Sequence, residues 1–532
     1  MKRAFLIFFI LIFTTFGVTP FAYSQPGISW QRSLGGQDAV AIREIPSGGY
    51  ITAGNYWGGY PPDPKSCNNG DSSAAWAAKL DGNGKTIWQR CYSGNGQNLV
   101  HSIIPTKDQG FIFCGGTSAN VGEGSVYHGM LDAWVMKLDS EGNIEWQKTY
   151  GGADYDVATS IIQTFDGNYA FGGWTRSNDG DVSGNHGADD EWVVKIGTTG
   201  KIDWQKCLGG SSYDRGSYLI ESADSGIIVT GSATSNDGNV GGNHGQQEMW
   251  IVKLRRDTTI AWQTCAGGIS DDGGAAICRL SNGRYLAIGS SQSYFLNDDY
   301  HGGNDFYAVW IDDSGKVSKQ FCYGGSRDDG AVAVSPTADG GFLLGGTTNS
   351  SDGDLSGRSG SFFQDAWVVK CDSAGSIEWQ KSLGGRWDET ANSVLQISEG
   401  EYIFAGQTSS SDGDVASNYF GGSAWNSWIV KLSDNAGVAD LHEEHLSNLK
   451  IIPNPSSTGL YISYTSGSQK KSELDIYDVL GKLVESLPDE GARSGEHQLK
   501  IDVRNLHEGS YNLRLRSGGE SLSGKFTVIR KD

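Results

Sequence analysis

Residues 156–210 read DVATSIIQTFDGNYAFGGWTRSNDGDVSGNHGADDEWVVKIGTTGKIDWQKCLGG, and the order of residue types along this stretch decides the fold. Residues 157–164 are apolar and β-prone, Asp166-Gly167-Asn168 is a hairpin turn, and 169–174 read as a second strand. A long loop rich in Gly, Asn and Asp leads to WVVKI at 192–196, a turn at 198–200, and a fourth strand at 202–208 that ends on Gly209-Gly210. No helical period runs through any of it. Four antiparallel strands joined by tight turns are one blade of a β-propeller.

The same unit repeats on both sides. Trp-Gln recurs at Trp30, Trp88, Trp146, Trp204 and Trp262, an interval of 58 residues, then in a degenerate copy at Lys319 and again at Trp379. A second aromatic lattice, Trp76, Trp134, Trp192, Trp250, Tyr307, Trp367 and Trp428, lies twelve residues before the next Trp-Gln until the array ends. These aromatics read as wedges between neighbouring sheets, each burying about 150–250 Å². The array opens with an orphan fourth strand, WQRSL at 30–34, and closes with a unit of three strands ending in WIVKL at 428–432. The orphan is expected to complete the last blade, which removes a free sheet edge. The fold class is therefore all-β: a seven-bladed β-propeller of four-stranded blades, closed by the N-terminal strand, plus a small C-terminal immunoglobulin-like β-sandwich. The turn from Asp139 to Trp146, D-x-x-G-x-x-x-W, resembles the tryptophan-docking repeats of quinoprotein propellers. That likeness lies in a structural turn and implies no quinone cofactor.

Met1-Lys2-Arg3, an apolar run from Ala4 to Val18, and small residues at Ala22 and Ser24 predict a signal peptide cleaved after Ser24. No later segment is apolar enough to span a bilayer with about 20 residues. The predicted organisation is signal peptide 1–24, propeller 25–433, linker 434–447 and C-terminal domain 448–532. Sixty-two acidic against 41 basic residues give a net charge of −21, which argues against nucleic-acid partners. Eight cysteines occur with no metal-type spacing. Cys91, Cys207, Cys265 and Cys322 share one place in successive repeats, which leaves packing and pairing both open.

After residue 447 the period breaks. LKIIPNP at 449–455, LDIYDVLGKLV at 474–484, LHEGSYNLRL at 506–515 and GKFTVIR at 524–530 follow one another. The four blocks together resemble the type A sorting domain of substrates of the type IX secretion system, over roughly the last 85 residues. Gly509-Ser510-Tyr511 departs from the commoner Gly-Ile/Val-Tyr. The resemblance implies a secreted repeat propeller of Bacteroidetes type, recognition by the type IX machinery, passage through the outer membrane, and either surface attachment or release. The blocks by themselves read as six or seven short strands forming a sandwich.

Chemistry is expected where the loops between second and third strands and those from each fourth strand to the next blade share one face. The first set carries the acids Asp179, Asp181, Asp352, Asp354, Asp412 and Asp414 in D-G-D loops. These could hold Ca²⁺, which takes about six to eight oxygen ligands, or serve turns that need Asp and Gly. The second set supplies an acid after each Gly-Gly: Asp156, Asp214, Asp272, Asp329 and Asp388. Trp174 and Trp387, off the lattices, are candidate stacking platforms. His128, His186, His244 and His301 each lie six residues before a lattice aromatic and read as loop-bracing residues rather than one converging metal site. No nucleophile elbow, H-E-x-x-H, P-loop or Rossmann fingerprint is present. The expected function is an exported cell-surface or secreted binding module for a glycan or a surface protein. The alternatives are a carbohydrate-active enzyme, a polysaccharide hydrolase or lyase, and a structural adhesion component.

Overall fold

The computed structural model describes residues 25–57, 73–94, 96–121, 126–294, 300–356, 363–416, 424–434, 446–452, 454–466, 473–479, 482–488, 495–517 and 520–530. The predicted leader, 1–24, and residues 435–445 of the predicted linker lie outside them. The chain divides into two compact units, one holding residues 33–397 and 404–429 and the other residues 430–532 with 26–32 and 398–403.

Up to residue 433 the described strands form seven four-stranded sheets, the first six of them β-meanders. In the third, Asp156–Gln163 pairs with Tyr169–Thr175, which pairs with Asp190–Ile196, which pairs with Ile202–Leu208, all antiparallel. These are the strands read from the sequence, shifted by two residues at most. The seventh sheet runs Gly27–Arg32, Asn426–Ser433, Glu401–Thr408, Glu389–Ser398, so the orphan strand fills the open slot. Backbone bonds from Ser427 N to Gly36 O and from Ala39 N to Gly406 O tie the start of the array to that sheet.

Packing follows the two lattices. Trp76, Trp134, Trp192, Trp250, Tyr307, Trp367 and Trp428 are fully buried, and Phe171 meets the Trp192 ring edge-on at 5.5 Å. A buried indole still needs an acceptor for its N–H. The glutamine of the Trp-Gln pair supplies it: Trp134, Trp192, Trp250 and Trp367 donate to Gln147, Gln205, Gln263 and Gln380 at 2.8–3.3 Å, and the Tyr307 hydroxyl donates to Gln320. Sheet-to-sheet contact explains the D-x-x-G turns. Gly142 and Gly200 adopt φ of 77° and 75°, lie against the rings of Trp88 and Trp146 of the preceding sheet, and accept hydrogen bonds from Tyr92 and Tyr150 at 2.9 and 2.7 Å.

The first strands carry a bulge at one place, between Val100/Ser102, Ala158/Ser160, Gly216/Tyr218, Gly274/Ala276 and Ala331/Ala333. A bulge leaves one residue without a cross-strand partner and re-aims it. His101, Thr159, Ala275 and Val332, the extra residues, line a central cavity to which all seven first strands contribute. Among the cysteines, Cys91 is disulfide-bonded, whereas Cys114, Cys207, Cys265, Cys278 and Cys371 carry thiols. Burial pushes the thiols of Cys207 and Cys278 up to about 12, so they act as packing groups.

The C-terminal unit adds two sheets. Leu446–Ile452, Gly459–Ser466 and Gly495–Asp502 form one, and Leu483–Pro488, Glu473–Tyr477, Gly509–Ser517 and Glu520–Val528 the other. Leu460, Ile462, Leu474, Ile476, Leu513 and Phe526 fill a common core. Alternation along 511–516 sends one face of that strand inward.

Candidate functional site

The acid after each Gly-Gly opens the first strand of a blade and is drawn inward. Asp156, Asp214, Asp272 and Asp329 are fully buried. Asp156 accepts from Gly152 N at 2.7 Å, from Ser177 Oγ at 2.8 Å and from the Thr175 hydroxyl. Asp272 is held in the same way by Gly268 N, Ser293 and Ser291, and Asp214 and Asp329 by Gly210 N and Gly325 N. In the seventh sheet Glu389 takes this position, accepting from Gly385 N at 2.9 Å and Thr408 Oγ1 at 2.7 Å. Asp388, one residue earlier and half-buried, accepts from Gln364 N at 3.0 Å. Glu389 was missed in the sequence, although counting four residues from the second Gly of the pairs ending at Gly152, Gly210, Gly268, Gly325 and Gly385 finds an acid each time.

A second buried acid faces each of these from the start of a third strand. A Cβ on Gly209 would lie 2.6 Å from Asp190 Oδ1 and 3.0 Å from Asp214 Oδ2, which is why glycine is required there. Burial pushes the carboxyls of Asp156 and Asp305 up to about 6. The predicted bracing histidines reach these third-strand acids: His128, His186, His244 and His301 place Nδ1 within 2.6–3.5 Å of Asp132, Asp190, Glu248 and Asp305.

The D-G-D loops fold back over the Gly-Gly corner. Asp179 accepts from Ala153 N, Asp352 from Ser326 N and Asp412 from Arg386 N, at 2.8–2.9 Å. Asp181, Asp354 and Asp414 accept from Gly151 N, Gly324 N and Gly384 N at 3.1–3.4 Å. Each pair thus spends one oxygen per residue on neighbouring amides. Among the described residues no three of His, Cys, Asp and Glu gather as a set able to hold a metal ion.

The repeat breaks on the loop face of blades three and four. Asp189, fully buried, accepts from Arg176 Nε at 2.8 Å and from Arg215 Nε at 2.6 Å. The Arg215 guanidinium lies 4.5 Å from the centre of the Trp174 ring and 6.0 Å from Tyr213, and Arg176 lies 5.6 Å from Tyr155. Tyr213 is 52% exposed and the Arg215 side chain 49%. In the corresponding places of the fifth blade stand Asp271, Gly273, Ser290, Gln292 and Asn304. Beneath the cluster Glu191 is fully buried, with no hydrogen bond to either carboxylate oxygen, and burial, with the charges of Asp214 and Asp190 nearby, pushes its pKa well above the usual carboxylate range. Trp387 sits elsewhere, edge-on to Phe363 at 4.7 Å. The arrangement offers aromatic faces and guanidinium donors together, the chemistry of a ligand platform.

Repeated four-stranded antiparallel sheets around a lined cavity define a β-propeller, followed by an all-β C-terminal domain. Residues 450–529 match the family model of the secretion system C-terminal sorting domain. That domain indicates export through the type IX secretion system to the cell surface or the medium and implies recognition by its machinery. No curated protein matches the chain. Among solved structures, a mutant of the Synechocystis apocarotenoid oxygenase is similar at 12% identity and a TM-score of 0.34, with 90% of this chain and 97% of that one covered. A glycoside hydrolase of family 32 from Bifidobacterium adolescentis is similar at 8% identity and a TM-score of 0.23, covering 94% and 96%. Overlaps this low carry no argument about activity. Among the described residues no helix is long and apolar enough to cross a membrane.

Proposed function

We propose that the exported propeller is a binding module, and that it takes a glycan or a surface protein on the loop face of blades three and four. The observation behind this reading is the Tyr155, Trp174, Arg176, Asp189, Tyr213 and Arg215 cluster, where chain-specific aromatic and cationic side chains replace the repeat. Aromatic rings take the apolar face of a sugar, and guanidinium groups take its hydroxyls or an acidic side chain of a protein. A bracing Ca²⁺ on the same face would have to take one or two D-G-D carboxylates at a time and complete its shell with loop carbonyls or water, since no three of these acids gather among the described residues. A broad glycan array, probed with the purified chain in calcium and again in chelator, tests it. Selective binding that falls at least roughly tenfold in Tyr213→Ala and Arg176→Ala supports the site, and loss of signal in chelator adds the calcium role. Binding that both variants retain in full would place the ligand elsewhere.

A further inference from the structure

The first strands of all seven sheets line a cavity of ≈ 510 Å³, within the roughly 300–1,000 Å³ usual for small-molecule sites. Its wall differs from the rest of the molecule. The chain has 62 acidic and 41 basic residues, yet among the described residues lining the cavity there is no Asp or Glu, whereas Arg43 and Arg279 are present. Arg43 is half-buried. Its Nη1 donates to Ile42 O at 2.7 Å and to Ser393 Oγ at 2.9 Å, and its Nη2 donates to Tyr218 Oη at 3.0 Å. Ser393 and Tyr218 belong to the seventh and fourth sheets, so the guanidinium is fixed from both sides of the channel. All three acceptors are neutral. They leave about two of the five guanidinium N–H bonds and its whole charge to be met by something else.

The remaining wall is two-sided. His101, Ser102, Thr159 and Asn392 bring polar groups to it, while Ile277 and Val334 of the fifth and sixth sheets make an apolar side. His101 Nδ1 lies 3.0 Å from Ala158 O. A carbonyl can only accept, so Nδ1 carries the proton and Nε2 of the neutral ring is an acceptor. We propose that the channel binds a small organic carboxylate of about monosaccharide to disaccharide size, its carboxylate on Arg43 and its hydroxyls on the polar side. A sugar acid has the required halves, with an anionic group, a hydroxylated edge and an apolar C–H face. The net charge of −21 does not forbid it, because salt screens charges beyond about 8 Å at physiological ionic strength. This site is separate from the loop-face platform and stands without it.

The test is calorimetric titration of the full chain with sodium glucuronate and with glucose, at low and at high salt. Glucuronate is expected to bind at least roughly tenfold more tightly than glucose, and to weaken as salt rises. Arg43→Gln, which removes the charge at nearly constant shape, is expected to abolish that preference while its melting midpoint stays near that of the unaltered chain. Arg43→Lys is expected to keep part of it. Equal affinity for the two sugars, or binding of neither by the unaltered protein, would overturn the proposal whatever the variants do.

Discussion

Four of the Trp-Gln pairs, those of Gln147, Gln205, Gln263 and Gln380, set the glutamine against the indole of the strand beside it, and this contact gives the dipeptide its meaning. Gln205 accepts from the buried Trp192 ring at 2.9 Å. Gln205→Leu leaves that N–H buried without a partner, and is expected to cost about 1–3 kcal/mol, read as a lower denaturant midpoint. Gln89 is the internal control. Its amide donates to Leu34 O while the Trp76 N–H has no partner in any case. Gln89→Leu is therefore expected to cost less than Gln205→Leu, and equal costs would refute this account of the pair. The aromatic periods were legible in the sequence, but the indole-to-amide contact was not, because it joins residues thirteen apart that meet only when third and fourth strands pair.

At the scale of elements, turns and corners divide into those that need glycine for the backbone alone and those that need it for packing as well. Gly167 has φ of 87° and open space around it, so Gly167→Ala meets only the backbone penalty of about 1 kcal/mol. Gly200 has φ of 75° and a Cβ there would also lie 3.0 Å from Trp146, Lys148 and the Tyr150 hydroxyl. Gly200→Ala is expected to lower the melting midpoint distinctly more than Gly167→Ala. Strand order and hairpin turns could be read from single blades, because alternation and Asp-Gly turns are local signals. The destination of the acids could not. Whether Asp156 or Asp179 faces solvent depends on how the D-G-D loop folds over the Gly-Gly corner, a contact between residues about two strands apart. The platform at Arg215 and Trp174 was half visible: Trp174 stood out as off-lattice, but its cation came from the next blade.

At the scale of the whole molecule, buried acids make the propeller respond to pH. The carboxyls of Asp156 and Asp305 are pushed up to about 6 by burial, against about 3.9 in an unfolded chain. Between these values the folded state holds more protons than the unfolded one, so stability falls as pH rises through the window and its contribution is lost above about 6. Asp224, held at about 2 by Ser222 and Lys253, acts oppositely, but only below about 4. The denaturant midpoint is therefore expected to rise between pH 7 and pH 5. A flat or falling midpoint would contradict the raised values.

The strand Gly27–Arg32 has a consequence for synthesis. Its sheet neighbour is Asn426–Ser433, and Leu34 N reaches Ser427 Oγ across 393 positions of sequence. That strand thus waits for the last blade before it can pair, and contacts this distant in sequence form slowly. The sorting domain at 450–529 is made later still. A chain broken off by the ribosome before residue 426 would lack both the closing partner and the export address, so incomplete rings would be retained on the near side of the outer membrane by the same accident that left them open.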